Sequence, residues 1–221
     1  RNNFTFYNTM VTGNLNVASG DTDLAYAMYR DTSETNRNNY NWYNVTIKGD
    51  ANVAMNGHSN YLYLERVSAE KGMNITANRS GADIAYITKS EIDNSHLTGF
   101  ENVTLNTKID NVVIEGMKAF TLYARGNNIV SNATFKATDA KGEQATIYGT
   151  SLSNTHFEGF EGVNLYNALI DGSVNFSNPD SDGTQSATFY RLFNSTVKDL
   201  DFKNSSRFIY VSGTNTLENI A

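Results

Sequence analysis

The stretch His96-Leu-Thr-Gly-Phe-Glu-Asn-Val-Thr-Leu105 returns 60 residues later as His156-Phe-Glu-Gly-Phe-Glu-Gly-Val-Asn-Leu165. Phenylalanine, valine and leucine recur at matching positions, and the residues between them are mostly polar. Tyr63 and Tyr123 are also 60 residues apart. Self-similarity at a fixed period indicates an array of stacked units, because one unit cannot bury its apolar face alone.

Two short motifs alternate along the chain, and both are typical of strands. One ends in tyrosine, as in Ala145-Thr-Ile-Tyr148, and the other alternates polar and apolar residues, as in Asn102-Val-Thr-Leu105. These runs are bounded by Asn, Gly, Asp and Ser, whereas helix-like runs are short and interrupted. The pattern predicts an all-β fold, a right-handed parallel β-helix with short corner turns and one or two projecting loops. At about 20 residues per coil the period would hold three coils, and two longer coils also fit.

The composition supports this fold and excludes several classes of function. Of 221 residues 31 are asparagine, one is proline and none is cysteine. Asparagine tolerates the left-handed backbone of tight corners, while proline would remove a donor from the strand ladder. A chain without cysteine has no disulfide scaffold and no thiol catalysis. The formal net charge of −6, with 17 Lys and Arg spread singly, argues against nucleic acid as a partner.

We interpret residues 1–221 as a single β-helix segment. Both ends are strand-like, with Phe4-Thr-Phe6 at the start and Leu217–Ala221 at the finish, so we expect a piece of a longer chain. No run is long and apolar enough to span a bilayer, and Arg1-Asn2-Asn3 is not a signal peptide. We therefore expect no direct membrane insertion by this segment.

Cysteine-free, Asn- and Thr-rich coils such as Phe100-Glu-Asn-Val-Thr-Leu105 and Phe160-Glu-Gly-Val-Asn-Leu165 resemble bacterial surface β-helices secreted by the type V route. Over nearly its whole length the chain is similar in style to autotransporter passenger domains, and next to two-partner exoprotein adhesins. The resemblance implies export through the outer membrane to the bacterial cell surface, with adhesion, self-association in aggregates or biofilm, or host-cell contact as the function. The implied partner is a host-cell or extracellular-matrix protein or glycan, or the same protein on another cell.

An enzyme is the main alternative from a different class. β-Helical polysaccharide-active enzymes and tailspike-like proteins place carboxylates on one exposed sheet, where two suffice for hydrolysis. His96 and His156 occupy equivalent repeat positions and are interpreted as structural. We expect no catalytic residue and no cofactor, and a β-helical toxin passenger is the third hypothesis. The carboxylate candidates, interpreted first as corner caps, are Asp83, Asp110, Asp171 and Asp199.

Residues 30–43 are the least solenoid-like stretch and contain the only tryptophan. Their polarity and length predict a projecting loop, and projecting loops on rigid scaffolds often carry binding residues. Tyr40, Trp42 and Tyr43 are the candidate binding residues, since aromatic side chains dominate interface hot spots. The alternative is that Trp42 packs on a neighbouring coil.

Two further features remain open in the sequence. Asn178-Pro-Asp-Ser-Asp-Gly183 resembles the beginning of a calcium loop without its later glutamate, so Asp180 and Asp182 are candidate calcium ligands in what is otherwise an ordinary turn. The strand-ending tyrosines could form one ladder, facing either solvent or the core. That ladder would contain Tyr29, Tyr63, Tyr86, Tyr123, Tyr148, Tyr190 and Tyr210.

Overall fold

The protein is built from strands and turns. The described residues contain no helix, and among them nothing forms a helical span long and apolar enough to cross a membrane. The computed structural model describes residues 3–19, 37–57, 59–77, 83–117, 119–123, 129–137, 144–160, 162–170, 174–177, 188–201 and 207–220.

Twenty-two strands follow one another along the described part of the chain. The first eleven are β1 (Asn3–Val11), β2 (Leu15–Ala18), β3 (Asn38–Ile47), β4 (Ala51–Met55), β5 (Asn60–Ala69), β6 (Met73–Ala77), β7 (Ile84–Thr88), β8 (His96–Thr98), β9 (Asn102–Asn106), β10 (Ile109–Asp110) and β11 (Val113–Met117). The second eleven are β12 (Ala119–Tyr123), β13 (Ile129–Ala137), β14 (Gln144–Tyr148), β15 (Ser151–Glu158), β16 (Gly162–Tyr166), β17 (Leu169–Ile170), β18 (Val174–Ser177), β19 (Thr188–Phe193), β20 (Thr196–Asp201), β21 (Arg207–Ser212) and β22 (Thr216–Ile220).

The strands of the described residues form two parallel sheets. The first sheet has ten strands in the order β1-β3-β5-β7-β9-β12-β14-β16-β19-β21. The second has twelve, with a path that runs from β2 through β4, β6, β8, β11, β13, β15 and β18 to β20 and β17, while β10 pairs with β13 and β22 with β20. Each coil places one strand in the first sheet and then crosses to the second. The predicted parallel β-helix is confirmed.

The register explains the 60-residue period. His96 pairs with Val113, Thr134 follows on β13, and His156 follows on β15, so the two histidines occupy one column three coils apart. Their predicted equivalence is therefore confirmed. Neighbouring strands lie about 4.8 Å apart, so side chains in one column contact their counterparts above and below.

The core lies between the two sheets and consists of alternate residues from each strand. Leu62 and Leu64 of β5 are fully buried, while Tyr61 and Tyr63 between them are only partly buried. Larger rings also stack inside, and the Phe135 and Phe157 rings lie 5.2 Å apart. Full burial of one leucine side chain contributes about 2 kcal/mol, so repeating it in every coil supplies the main stabilising term.

Asparagines form the corners where the chain turns between sheets. Asn44 (φ 54°) and Asn132 (φ 51°) adopt the left-handed backbone that asparagine tolerates better than other residues with a side chain. The corner side chains also bond between coils, as where Asn111 Nδ2 donates to Asn94 Oδ1 at 2.8 Å. Among the described residues the left-handed asparagines are Asn8, Asn44, Asn94, Asn111, Asn132, Asn154, Asn167 and Asn194.

The projecting loop predicted for residues 30–43 is wrong for its second half. Residues 38–43 belong to β3, which pairs in parallel with β1 on one side and β5 on the other. Trp42 lies in register between Phe6 and Leu64, so it is part of the core column. Residues 30–36 lie outside the described residues.

Replacing Asn167 tests the left-handed corner. Asn167 has φ 51° and an exposed side chain. We expect Asn167→Ala to lower the free energy of unfolding by about 1 kcal/mol, because a Cβ without a compensating amide is strained in this region. Asn167→Gly is the matched control and should cost less, since glycine adopts this backbone freely. Urea unfolding of both variants measures the difference, and an alanine variant as stable as the glycine variant would contradict the explanation.

Candidate binding surface

Two of the three aromatic residues predicted to bind a ligand are inside the solenoid. Tyr40 and Trp42 are both 0% exposed. The Tyr40 ring stacks on Phe4 at 4.9 Å, and Trp42 meets Phe6 edge-on at 5.5 Å. Burial raises the pKa of the Tyr40 phenol. The prediction that these two residues bind a surface partner is therefore wrong, because they fill the core column of β3.

Tyr43 points outward and belongs to a row of stacked rings across four strands of the first sheet. The Tyr7 and Tyr43 rings lie 4.6 Å apart and nearly parallel. Tyr43 lies 5.2 Å from Tyr63, and Tyr63 stacks on Tyr86 at 5.5 Å. We call Tyr7, Tyr43, Tyr63 and Tyr86 the tyrosine row. Tyr7 at one end is 62% exposed, so the row lies on the solvent side of the sheet.

The tyrosines predicted to form one ladder occupy more than one column. Tyr63 pairs with Tyr86, and the column continues into Thr104. Tyr148 is one outward position further along its strand and pairs with Tyr166, whose rings stack at 5.0 Å. The spacing of 62 residues between Tyr86 and Tyr148 is the coil period plus one pleat. Tyr29 lies outside the described residues.

A groove lies beside the tyrosine row where β5, β7 and β9 approach the corner. Its volume is about 560 Å³. Glu65 joins its wall to its rim, because Tyr63 Oη donates to Glu65 Oε2 at 3.1 Å and Lys89 Nζ lies 3.5 Å from Glu65 Oε1. We call this the tyrosine groove. Its lining residues are Tyr63, Glu65, Tyr86, Thr88, Lys89, Ser90, Glu91, Asn106, Thr107 and Lys108.

The sequence interpretation did not single out the polar residues of this groove. Glu65, Thr88 and Asn106 share one column, but they are three different residue types. Aligning Tyr61-Leu-Tyr-Leu-Glu65 with Ile84-Ala-Tyr-Ile-Thr88 and Asn102-Val-Thr-Leu-Asn106 brings them together. The coil register is the signal that finds them.

The carboxylate candidates for catalysis hold the coils together where the structure describes their side chains. Asp83 is buried, and its Oδ1 accepts hydrogen bonds from Asn60 N and Asn60 Nδ2, both at 2.8 Å. Asp110 Oδ1 accepts from Ser131 Oγ at 2.7 Å and from Asn132 Nδ2 at 2.8 Å. These two hydrogen bonds lower the pKa of Asp110.

The remaining polar candidates divide between described and undescribed parts of the chain. Asp171, and the candidate calcium ligands Asp180 and Asp182, lie outside the described residues, and Asp199 lies on β20. His96 Nε2 lies 2.6 Å from Glu115 Oε1 on the outer face of the second sheet. Within the described ranges, no group of three or more His, Asp or Glu side chains is placed to hold a metal ion.

No protein-family model matches this chain, and no curated protein or solved structure matches it either. The function is therefore inferred from the residues and their geometry.

The Tyr63 phenol provides a test of the groove geometry in alkaline solution. Burial and the contact with Glu65 raise the pKa of Tyr63 to about 12, whereas an unfolded tyrosine ionises near pH 10. The folded state therefore keeps a proton that the unfolded state loses, and stability falls between these pH values. Tyr63→Phe lacks this contribution, so we expect its deficit relative to wild type to shrink above pH 10. Urea unfolding at pH 7 and pH 11 measures the change, and an equal deficit at both pH values would contradict it.

Asp110 should stabilise the solenoid only while it is ionised. Its pKa is lowered in the folded state, so its contribution is present above the unfolded pKa of about 3.9 and is lost as pH falls through the folded value. We expect Asp110→Asn to be less stable than wild type at pH 7, with a gap that closes below about pH 4. Denaturant unfolding from pH 7 to pH 3 measures the gap, with Ser131→Ala as the partner variant. A gap that does not change with pH would exclude this role.

Proposed function

We propose that this chain is a non-catalytic binding segment of a secreted bacterial surface protein, which attaches to host cells, extracellular matrix or sister cells. The observation that carries the proposal is the tyrosine row on the outer face of the first sheet. Exposed clusters of large aromatic side chains mark interaction surfaces more often than they serve the fold.

The core gives the tyrosine row a role beyond packing. The inward face of the same strands is already filled by residues such as Leu62, Leu64 and Ile87, all 0% exposed. Tyr63 and Tyr86 lie on the opposite face and cover no part of that core column. Their mutual stacking does contribute to stability, at about 1 kcal/mol per pair. The phenol groups and ring edges still remain available to a partner.

The solenoid suits attachment because it is long in one direction and rigid. Parallel pairing runs without interruption from β1 to β21 in the first sheet of the described residues. A rigid rod presents repeated weak contacts at fixed spacing, so several of them can act together on one surface. Resemblance to autotransporter passenger domains gives the same expectation for location, on the cell surface after export.

A carboxylate-dependent enzyme receives less support from the geometry. Asp83 accepts two hydrogen bonds from Asn60 in the interior, and Asp110 accepts two from the next coil. A general acid needs a raised pKa near neutrality, whereas the pKa of Asp110 is lowered. These carboxylates stabilise the stack in the way that corner caps do.

Removing the rings of the tyrosine row should reduce attachment. Microspheres coated with the chain should bind epithelial cells, extracellular matrix or one another, and replacing Tyr7, Tyr43, Tyr63 and Tyr86 with threonine should lower the bound fraction at least several-fold. Threonine keeps the strand propensity while it removes the aromatic surface. Counting bound microspheres by microscopy measures the effect.

Two control chains make this result specific. Replacing the same four tyrosines with phenylalanine keeps the stacked rings and should retain most of the attachment if ring surface dominates. His156→Thr, on the outer face of the second sheet, should leave it unchanged. A folded four-threonine variant, judged by circular dichroism, that attaches as well as wild type would refute the proposed role of the tyrosine row.

A further inference from the structure

The tyrosine groove has the size and wall of a small-ligand site. Its volume of about 560 Å³ lies within the range of roughly 300–1,000 Å³ that such sites occupy. Tyr63 and Tyr86 line it together with polar residues. An aromatic wall combined with a few placed polar groups is the usual composition of a site that fixes a ligand's orientation.

Tyr86 presents ring surface because the tyrosine row ends there. Tyr63 stacks on one face of the Tyr86 ring at 5.5 Å with 6° between the planes. On the other side, the residue in register is Thr104, whose side chain is too small to cover a ring. The step from tyrosine to threonine leaves an aromatic face toward β9, which a flat apolar surface of a ligand can cover.

The rim supplies donors and acceptors at the spacing of the coils. Glu65, Thr88 and Asn106 occupy one outward column of β5, β7 and β9, about 4.8 Å apart. The Tyr63 phenol and Lys89 both contact Glu65, which fixes the carboxylate. Sugar hydroxyl groups donate and accept hydrogen bonds, so they match a carboxylate, a hydroxyl and an amide in sequence.

The floor of the groove is rigid. Ser90 Oγ accepts a hydrogen bond from Val67 N at 3.0 Å and donates to Thr88 O at 2.9 Å. Thr107 Oγ1 accepts from Ser90 N at 3.1 Å. These side chains are buried and bonded to neighbouring coils, so a ligand would meet a preformed surface and would lose little affinity to ordering it.

The charges of the lining residues balance. Glu65 and Glu91 carry two negative charges, while Lys89 and Lys108 carry two positive charges. Lys89 lies within 3.5 Å of Glu65, so its charge is compensated before any ligand arrives. A polyanion needs uncompensated cations, and its binding would be steered by a positive field. The balanced lining favours an uncharged ligand.

We propose that the tyrosine groove binds a short, uncharged oligosaccharide, with one sugar ring against Tyr86 and its hydroxyl groups bonded to Glu65 and Asn106. This inference rests on the proposed attachment function and names the chemical class of one partner. The apolar face of a pyranose covers the Tyr86 ring, and its equatorial hydroxyl groups reach the polar column. The sugar chain then runs along the stacking direction, across β7 and β9.

The test is calorimetric titration with four tetrasaccharides: the uncharged cellotetraose, chitotetraose and maltotetraose, and the anionic tetragalacturonate. We expect at least one uncharged probe to bind, and to bind more tightly than tetragalacturonate. Tyr86→Thr should weaken that probe roughly tenfold, the loss expected when one stacking contact disappears. Tyr86→Phe should bind within about twofold of wild type, since it keeps the ring.

Further variants keep the test independent of folding and of the attachment function. Glu65→Gln removes the charged acceptor and should weaken binding several-fold, because a carboxylate accepts hydrogen bonds more strongly than an amide does. Tyr7→Thr, at the far end of the tyrosine row, should leave sugar binding unchanged. The unfolding midpoint of each variant is measured first, and Glu65→Gln decides the outcome if Tyr86→Thr does not fold.

Each result counts for or against the groove. The proposal is overturned if no uncharged probe binds, if tetragalacturonate binds most tightly, or if neither Tyr86→Thr nor Glu65→Gln weakens binding. Attachment of microspheres that depends on the tyrosine row, without sugar binding, would refute the groove alone. Sugar binding together with attachment that ignores the tyrosine row would refute the attachment role and keep the groove.

Discussion

Parallel pairing in register between successive coils is the constraint on which the whole structure depends. It sets the contacts of every side chain, because a residue meets the residues at the same position one coil above and one coil below. Inside, Trp42 lies between Phe6 and Leu64, so the core is continuous along the stack. Outside, the same pairing places Tyr63 on Tyr86 and creates the tyrosine row. The chemistry of this chain is therefore organised in columns that cross many strands.

The fold was predictable because the pairing leaves a period in the sequence. Apolar residues must return at the same place in every coil, and His96 and His156 confirm that three coils fill the repeat. The segment around Trp42 was misread for a related reason. Its asparagines suggested a loop, but in a solenoid they bond between coils: Asn38 Nδ2 donates to Asn60 Oδ1 at 3.2 Å, and Asn39 Nδ2 to Asn3 Oδ1 at 3.0 Å. Polarity marks a loop in most folds, whereas here it also marks a ladder.

The candidate site was only partly predictable, since its residues come from different coils and share no residue type. Tyr43 was expected at the surface, and it lies there within the tyrosine row. Glu65 and Asn106 gave no sign of belonging together until the register placed both in one column. Tyrosine spacing alone also misleads, because a shift of two residues keeps a side chain on the same face but moves it to the next column. Face can be inferred from alternation, whereas column requires the length of every corner.

Repeated columns also explain why the surface carries few charges. Like charges stacked at coil spacing repel one another, so a charged column is stable only when its signs alternate. The second sheet shows this arrangement, with Glu115, Lys136 and Glu158 in register and Lys136 Nζ 3.1 Å from Glu158 Oε1. Elsewhere the outward columns contain asparagine, threonine and tyrosine, which can repeat without penalty. A partner of such a surface meets amides, hydroxyl groups and rings rather than a net field. Recognition then depends on hydrogen bonding and stacking, which are the interactions that an uncharged polar ligand offers.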